Sequence, residues 1–225
     1  MDDNLAAPVI GRIVDFDPET DRLCELDFTA ENTALSADIL DNTDLFSDWV
    51  VNKLADRGCR YGIGGYNEHR TIYARSVHFD DGAEPRRLHL GVDIWGAVGT
   101  PVYNFYDARV HSFGFNDNFG DYGATIILAY DIDGLTFQAL YGHLDLASLA
   151  GLEEGMVIPM GAQIATFGKK EENGYWPPHL HFQLINDMQG WKGDYPGVCQ
   201  YSKRAEYLQN CPDPAMILKY TFKRS

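Results

Sequence analysis

The sequence predicts a mainly β fold, α+β overall: an antiparallel sheet closed into a barrel-sandwich, preceded by an N-terminal extension that contains a helix. Three observations predict it. Between residues 88 and 190, runs rich in β-branched and aromatic residues recur, separated by Gly, Asp and Asn turns. No helix-period stretch interrupts them; at most a turn follows His143. The clearest 3.6-residue pattern lies earlier, over residues 43–57. The chain has 225 residues, 45% of them hydrophobic and 13% aromatic, which suffices for a sizeable core and argues against disorder.

Taken in order, residues 1–35 read as short strands and turns. Gly11 to Phe16 alternates weakly and Cys24 to Phe28 more clearly. Residues 36–57 read as helical, with Leu45, Phe46, Trp49, Val50 and Leu54 on one docking face, Thr43 as N-cap and Gly58 as the stop. Residues 61–75 are rich in Gly and Tyr and read as a loop running into a strand. They lack the Gly-Lys-Ser/Thr ending of a phosphate loop, so they are a connection or a substrate-binding edge. Strands follow at Thr100–Tyr103, Ala108–Val110, Ala124–Tyr130, Leu135–Tyr141 and His179–Ile185, with Asp131 to Gly134 turning between two of them. The tail carries Pro196, Pro212 and Pro214, with a helix expected near 202–210. The expected organisation is an extension over 1–80, a main domain over 81–195 and a tail over 196–225 that packs on it.

Eighteen basic against 33 acidic residues give a formal charge of −15. This disfavours nucleic acid, which needs clustered Lys and Arg, and equally an anionic membrane or wall. Met1 to Pro8 has no basic region followed by an apolar run, and no apolar stretch is long enough to span a bilayer. The expectation is a cytoplasmic protein, or an exported one if a leader has been removed. Cys24, Cys59, Cys199 and Cys211 show no CxxC spacing and are expected as buried free thiols, with Cys199 and Cys211 able to pair under oxidising conditions.

Three short stretches carry chemistry: His89-Leu90-Gly91-Val92-Asp93, Tyr141-Gly142-His143-Leu144 and His179-Leu180-His181. Imidazole and carboxylate are ordinary zinc ligands, and three protein ligands with one open position make a hydrolytic zinc site. His179 and His181 sit two apart on a predicted strand, so both rings point to one face. A strand end bending at Gly91 turns His89 and Asp93 toward one point. No His-Glu-x-x-His is present, which excludes a thermolysin-like arrangement.

In combination and order these motifs resemble the M23 family of zinc metallopeptidases, the lysostaphin and LytM group of peptidoglycan endopeptidases. The resemblance covers roughly residues 86–190 and extends to Gly99-Thr100-Pro101-Val102 and Gly161-Ala162-Gln163-Ile164-Ala165. It implies Zn2+ held by His89, Asp93 and His181, with His143 and His179 as the catalytic pair and a peptide or peptidoglycan-derived substrate. It implies hydrolysis in short Gly- or D-Ala-type peptides. The alternatives are a cytoplasmic zinc amidohydrolase acting on a small metabolite and a zinc-stabilised binding module without activity. Trp176-Pro177-Pro178 replaces the family's usual Thr-Gly-Pro-like run. The stretches Glu172 to Pro178 and Asp194 to Cys199 are similar to a variant found in large bacterial proteins beside aminotransferase-like and kinase-like domains. His69, His78 and His111 lie outside the motifs and are expected in structural or surface roles. Arg70, Arg86 and Arg87 are expected at the surface, and Trp176 either walls the groove or packs in the core.

Overall fold

Leu180, Phe182 and Leu184 alternate with His179, His181 and Gln183, and this alternation divides the molecule. The first set enters the main apolar core, while the second faces the opposite side of the sheet. In the computed structural model, which describes residues 9–80 and 82–222, the sheet containing this strand has eight strands. They are β1 (Leu23–Leu26), β2 (Tyr61–Gly64), β4 (Val92–Trp95), β6 (Ala108–Asn116), β7 (Gly123–Ile132), β8 (Leu135–Leu144), β9 (Val157–Ile158) and β11 (His179–Ile185), in the spatial order β1-β2-β4-β11-β8-β7-β6-β9. All neighbours are antiparallel except β1 and β2. Two small ribbons complete the β structure, β3 (Arg86–His89) with β12 (Val198–Gln200), and β5 (Pro101–Tyr103) with β10 (Gln163–Thr166).

The central strands are covered on both faces. Ile126, Leu128 and Tyr130 of β7 and Ala139 and Tyr141 of β8 lie in the main core, while Ile127 and Leu140 enter a second cluster with Leu88, Leu90 and Tyr195. Two-sided burial is why Ala124–Tyr130 reads as a continuous apolar run. Asp133 (φ 55°) and Gly134 (φ 84°) both take left-handed conformations, so Asp-Gly makes the two-residue turn that joins β7 to β8.

Several expectations need correction. Gly11–Phe16 forms no strand; Ile13 and Val14 are buried as coil, pinned by Ile13 N–H to Thr221 Oγ1 at 2.8 Å. The helical region breaks into α1 (Ala37–Leu40) and α2 (Thr43–Arg57), and Asn42, not Thr43, caps the second, its Oδ1 accepting from Asp44 N and Leu45 N. Leu45 faces solvent, leaving Phe46, Val50 and Leu54 as the buried face. In residues 61–75 the strand comes first and the loop second. The tail holds α3 (Arg204–Asn210) and a further helix, α4 (Ala215–Thr221), which Pro214 precedes. Cys24 and Cys59 form a disulfide, with Cα atoms 5.9 Å apart, while Cys199 and Cys211 stay free and buried. Only the reading of Met1 to Pro8 lies outside the described residues. No helix among the described residues is long and apolar enough to cross a membrane.

Candidate metal centre and active site

Register brings the motifs together. His181 on β11 pairs with Asp93 on β4 and with Gly142 on β8, and His179 pairs with Trp95. Residues opposite each other in neighbouring strands share a face, so His181 and Asp93 lie side by side. His89 ends β3, and the chain turns through Leu90 and Gly91 into β4. A Cβ on Gly91 would come within 2.7 Å of His181 Cε1 and 2.8 Å of the Phe182 carbonyl oxygen. Only glycine lets this turn pass beneath the His181 ring.

His89 Nε2, Asp93 Oδ1 and His181 Nδ1 form a triangle with sides of 3.0, 3.0 and 3.2 Å. Their outer partners fix the tautomers. His89 Nδ1–H donates to the Gly65 carbonyl at 2.8 Å, so Nε2 carries a lone pair. Gln183 Nε2 donates to the Pro196 carbonyl, which turns its Oε1 toward His181 Nε2–H at 2.9 Å and leaves Nδ1 of that ring unprotonated. Two nitrogen lone pairs and a carboxylate oxygen therefore converge on one point with no proton assigned between them. A cation satisfies all three, and sides of this length approach the edge of about 3.3 Å that a tetrahedral zinc with bonds near 2.0–2.1 Å requires. Burial pushes His89 down to about 3, with the Arg70 guanidinium adding to the effect, so that ring is neutral. Burial opposes ionisation of Asp93, but the Arg70 guanidinium beside it favours the carboxylate, and the carboxyl is held well below its ordinary value.

His143 and His179 sit beside this triangle, with ring centroids 4.1 Å apart. His179 Nδ1–H donates to the Pro177 carbonyl at 2.8 Å, and its ring stacks on Trp95 at 3.8 Å. His143 Nδ1–H donates to the Asn173 carbonyl at 2.8 Å. Each ring thus keeps its Nε2 lone pair. Burial pushes His179 down to about 4 and holds His143 well below its usual value, the latter reinforced by His179 and His181. The His143 backbone has φ 64°, a left-handed conformation uncommon outside glycine. It occurs where the pairing of β7 with β8 slips by a bulge between Ala124 and Ile126. His143 N–H donates to the Tyr122 carbonyl and Gly168 N–H to the His143 carbonyl, and these bonds hold the strained residue in place.

All five predicted site residues are brought together, and Asp93, His143, His179 and His181 line one cavity of about 420 Å³. Trp176 is both buried and part of its wall. His78 and Arg86 also line it, while His69 packs against Tyr201 and His111 bonds Ser112 elsewhere. Arg70, expected at the surface, is fully buried against Asp93. Two residues went unread in the sequence. Gln183 was legible, since it continues the alternation of His179 and His181. Tyr122, its hydroxyl 3.4 Å from His181 Nε2 and kept protonated by burial, carries no local signal.

Residues 87–193 match Peptidase family M23. That segment, just under half of the chain, is similar to M23 metallopeptidase domains. The chain is similar in part to a zinc-containing peptidase from Vibrio cholerae, at 26% identity over 44% of this chain and 27% of that one, with a TM-score of 0.35. It is similar to the catalytic domain of lysostaphin from Staphylococcus simulans at 23% identity, over 77% of this chain and 97% of that one, TM-score 0.45. A third likeness is to Helicobacter pylori Csd3, at 24% identity over 56% and 32%, TM-score 0.35. The chain thus spans about a quarter of the Vibrio peptidase and a third of Csd3. No curated protein matches it. M23 members are zinc peptidases that often act on peptidoglycan.

Proposed function

We propose that this M23 domain is a zinc-dependent peptidase hydrolysing short Gly- or D-Ala-type peptides, including peptidoglycan cross-links or their fragments. His89, Asp93 and His181 are the zinc ligands, and His143 and His179 the catalytic pair. The observation that carries the reading is the convergence of three acceptor atoms, with two further Nε2 lone pairs beside them, on one cavity.

Zinc, when bound, supplies Lewis acidity that brings the pKa of water toward about 7 and polarises a scissile carbonyl. The remaining steps belong to the side chains. A neutral imidazole whose Nδ1–H is committed to a backbone carbonyl is a base at Nε2, so His143 or His179 takes the proton of the attacking water. Once charged, that ring presents an Nε2–H, which donates to the departing amine. The buried ring pair, walled by Trp176 and Trp95, limits competing bulk water.

Metal analysis with an alanine series tests this. The purified protein is expected to hold one zinc, and His89→Ala to lose it. His143→Ala and His179→Ala are expected to keep zinc while hydrolysis of glycyl and D-alanyl peptides falls about 10²–10⁴-fold. Absence of stoichiometric zinc, or unchanged hydrolysis in both variants, sinks the reading.

A second reading keeps the site and changes the substrate to a small amide. It is favoured by the cavity wall, to which Ile72, Phe79, Gln200 and Lys203 contribute from outside the family-matched residues. Efficient release of stem-peptide fragments from intact peptidoglycan rules it out.

A further inference from the structure

We infer that Arg70, supplied by the segment before the M23 domain, is a positioning residue of the metal centre, holding Asp93 as a one-oxygen ligand while the neighbouring Gly65 carbonyl holds His89. The inference rests on the metal-centre reading above and goes beyond it by assigning residues 64–70 to the site.

The guanidinium is fully buried, and every nitrogen has a partner. Nη1 donates to Asp93 Oδ2 and to Tyr73 Oη, the latter at 3.2 Å; Nε donates to Glu68 Oε2 at 2.6 Å; Nη2 donates to the Gly65 carbonyl at 3.2 Å. Asp93 therefore has two distinct oxygens. Oδ2 is occupied by Arg70, and Oδ1 faces His89 Nε2 and His181 Nδ1. A carboxylate pinned in this way cannot rotate to offer both oxygens to one ion.

The Gly65 carbonyl accepts from Arg70 Nη2 and from His89 Nδ1–H together. One peptide group thus sets the His89 tautomer and anchors the guanidinium that orients Asp93. The sequence around it makes this possible. A Cβ on Gly64 would come within 2.7 Å of Arg70 Nη2 and 3.1 Å of Trp95 Nε1, so the glycine leaves the guanidinium its space. The pairing of β2 with β4, Gly64 opposite Asp93, carries the turn to the ligand. Partners outside the ligand shell typically alter metal affinity by about 10–100-fold. A fully buried arginine bonded to a ligand carboxylate is such a partner, with charge added.

The test measures the zinc dissociation constant by competition with a chromophoric chelator, alongside thermal unfolding of the metal-free protein. Arg70→Met, Arg70→Lys and Glu68→Gln are compared with Ile217→Ala, a core substitution on α4. Arg70→Met is expected to weaken zinc about 10–100-fold and Glu68→Gln less, in the same direction. Arg70→Lys is expected to restore part of the loss, because it returns the charge without the fork. Ile217→Ala is expected to lower the unfolding temperature with zinc affinity unchanged. If Arg70→Met fails to fold, Arg70→Lys and Glu68→Gln decide. Zinc affinity equal to wild type in the folded variants overturns the inference and leaves the metal centre standing. A wild-type protein that binds no zinc overturns both.

Discussion

Gly91 shows how narrowly single residues constrain this site. Any side chain there collides with the His181 ring and the Phe182 carbonyl. Gly91→Ala is expected to displace His181, so zinc content after dialysis falls and unfolding free energy drops by about 1–3 kcal/mol. Metal analysis beside a urea titration checks both, and a variant with full zinc content contradicts the account. Much of the site was readable at this scale. The spacing of His179 and His181 announced a shared face, and Gly91 announced the bend that brings His89 toward Asp93. Arg70 was not readable, because an arginine is buried only where distant partners receive it, and those partners, Asp93 above all, arrive through strand pairing. Thr43 was misread for a local reason: Asn42, one position earlier, has the side-chain oxygen that reaches the free amides of the first turn.

At the scale of elements, the junction after β8 concentrates much of the local order. Asp145 follows the strand and caps the short 3-10 turn Leu146–Leu149. Its Oδ1 accepts from Thr166 N at 2.7 Å, from Thr166 Oγ1 at 3.0 Å and from Ser148 Oγ; its Oδ2 accepts from Ser148 N at 3.1 Å. Burial raises the pKa of this carboxyl, but these donors outweigh it and the net shift is downward. A carboxyl lowered on folding binds fewer protons in the folded chain than in the unfolded one. Its contribution is thus complete above the unfolded pKa, near 3.9, and fades as pH falls from there through the folded value. Asp145→Asn is expected to cost about 1–2 kcal/mol at neutral pH, and the gap from wild type to narrow near pH 3.5. Denaturant titrations at the two pH values check it; a gap that stays constant or widens contradicts the assignment. Strands such as β7, β8 and β11 were legible because their apolar runs are long and their turns chemically marked. Gly11–Phe16 was not, since Val14, Asp15 and Phe16 alternate like a strand while the segment runs as coil with the adjacent Ile13 and Val14 both buried. The tail helix α4 escaped notice because seven residues after a proline give too few turns to show a period.

Across the whole molecule, the covalent tie between Cys24 and Cys59 joins β1 to the segment just past α2, closing a loop with a sequence separation of 35. Loop-closure entropy for that length gives about 3–4 kcal/mol. The double variant Cys24→Ser/Cys59→Ser is expected to lose stability of that order in denaturant, while Cys199→Ser leaves the disulfide intact. The expectation of four free thiols failed because spacing in sequence says nothing of which Cα atoms a fold brings within reach. Thiol counting on protein taken from its native compartment would show two titratable cysteines if that compartment is oxidising and four if it is reducing.

The short strand β1 also forms one edge of the eight-stranded sheet, with β9 at the other. An open margin of this kind recruits other chains by backbone pairing, which is how ordered aggregates begin. Here that margin is only four residues long, its outward positions are Leu23 and Glu25, and Arg57 donates to the Glu25 carbonyl at 3.3 Å. The disulfide anchors it from behind. Reduction therefore threatens more than rigidity: a released β1 would bare the pairing edge of β2 behind it, and light scattering would rise on adding a thiol before any loss of the β signal in circular dichroism.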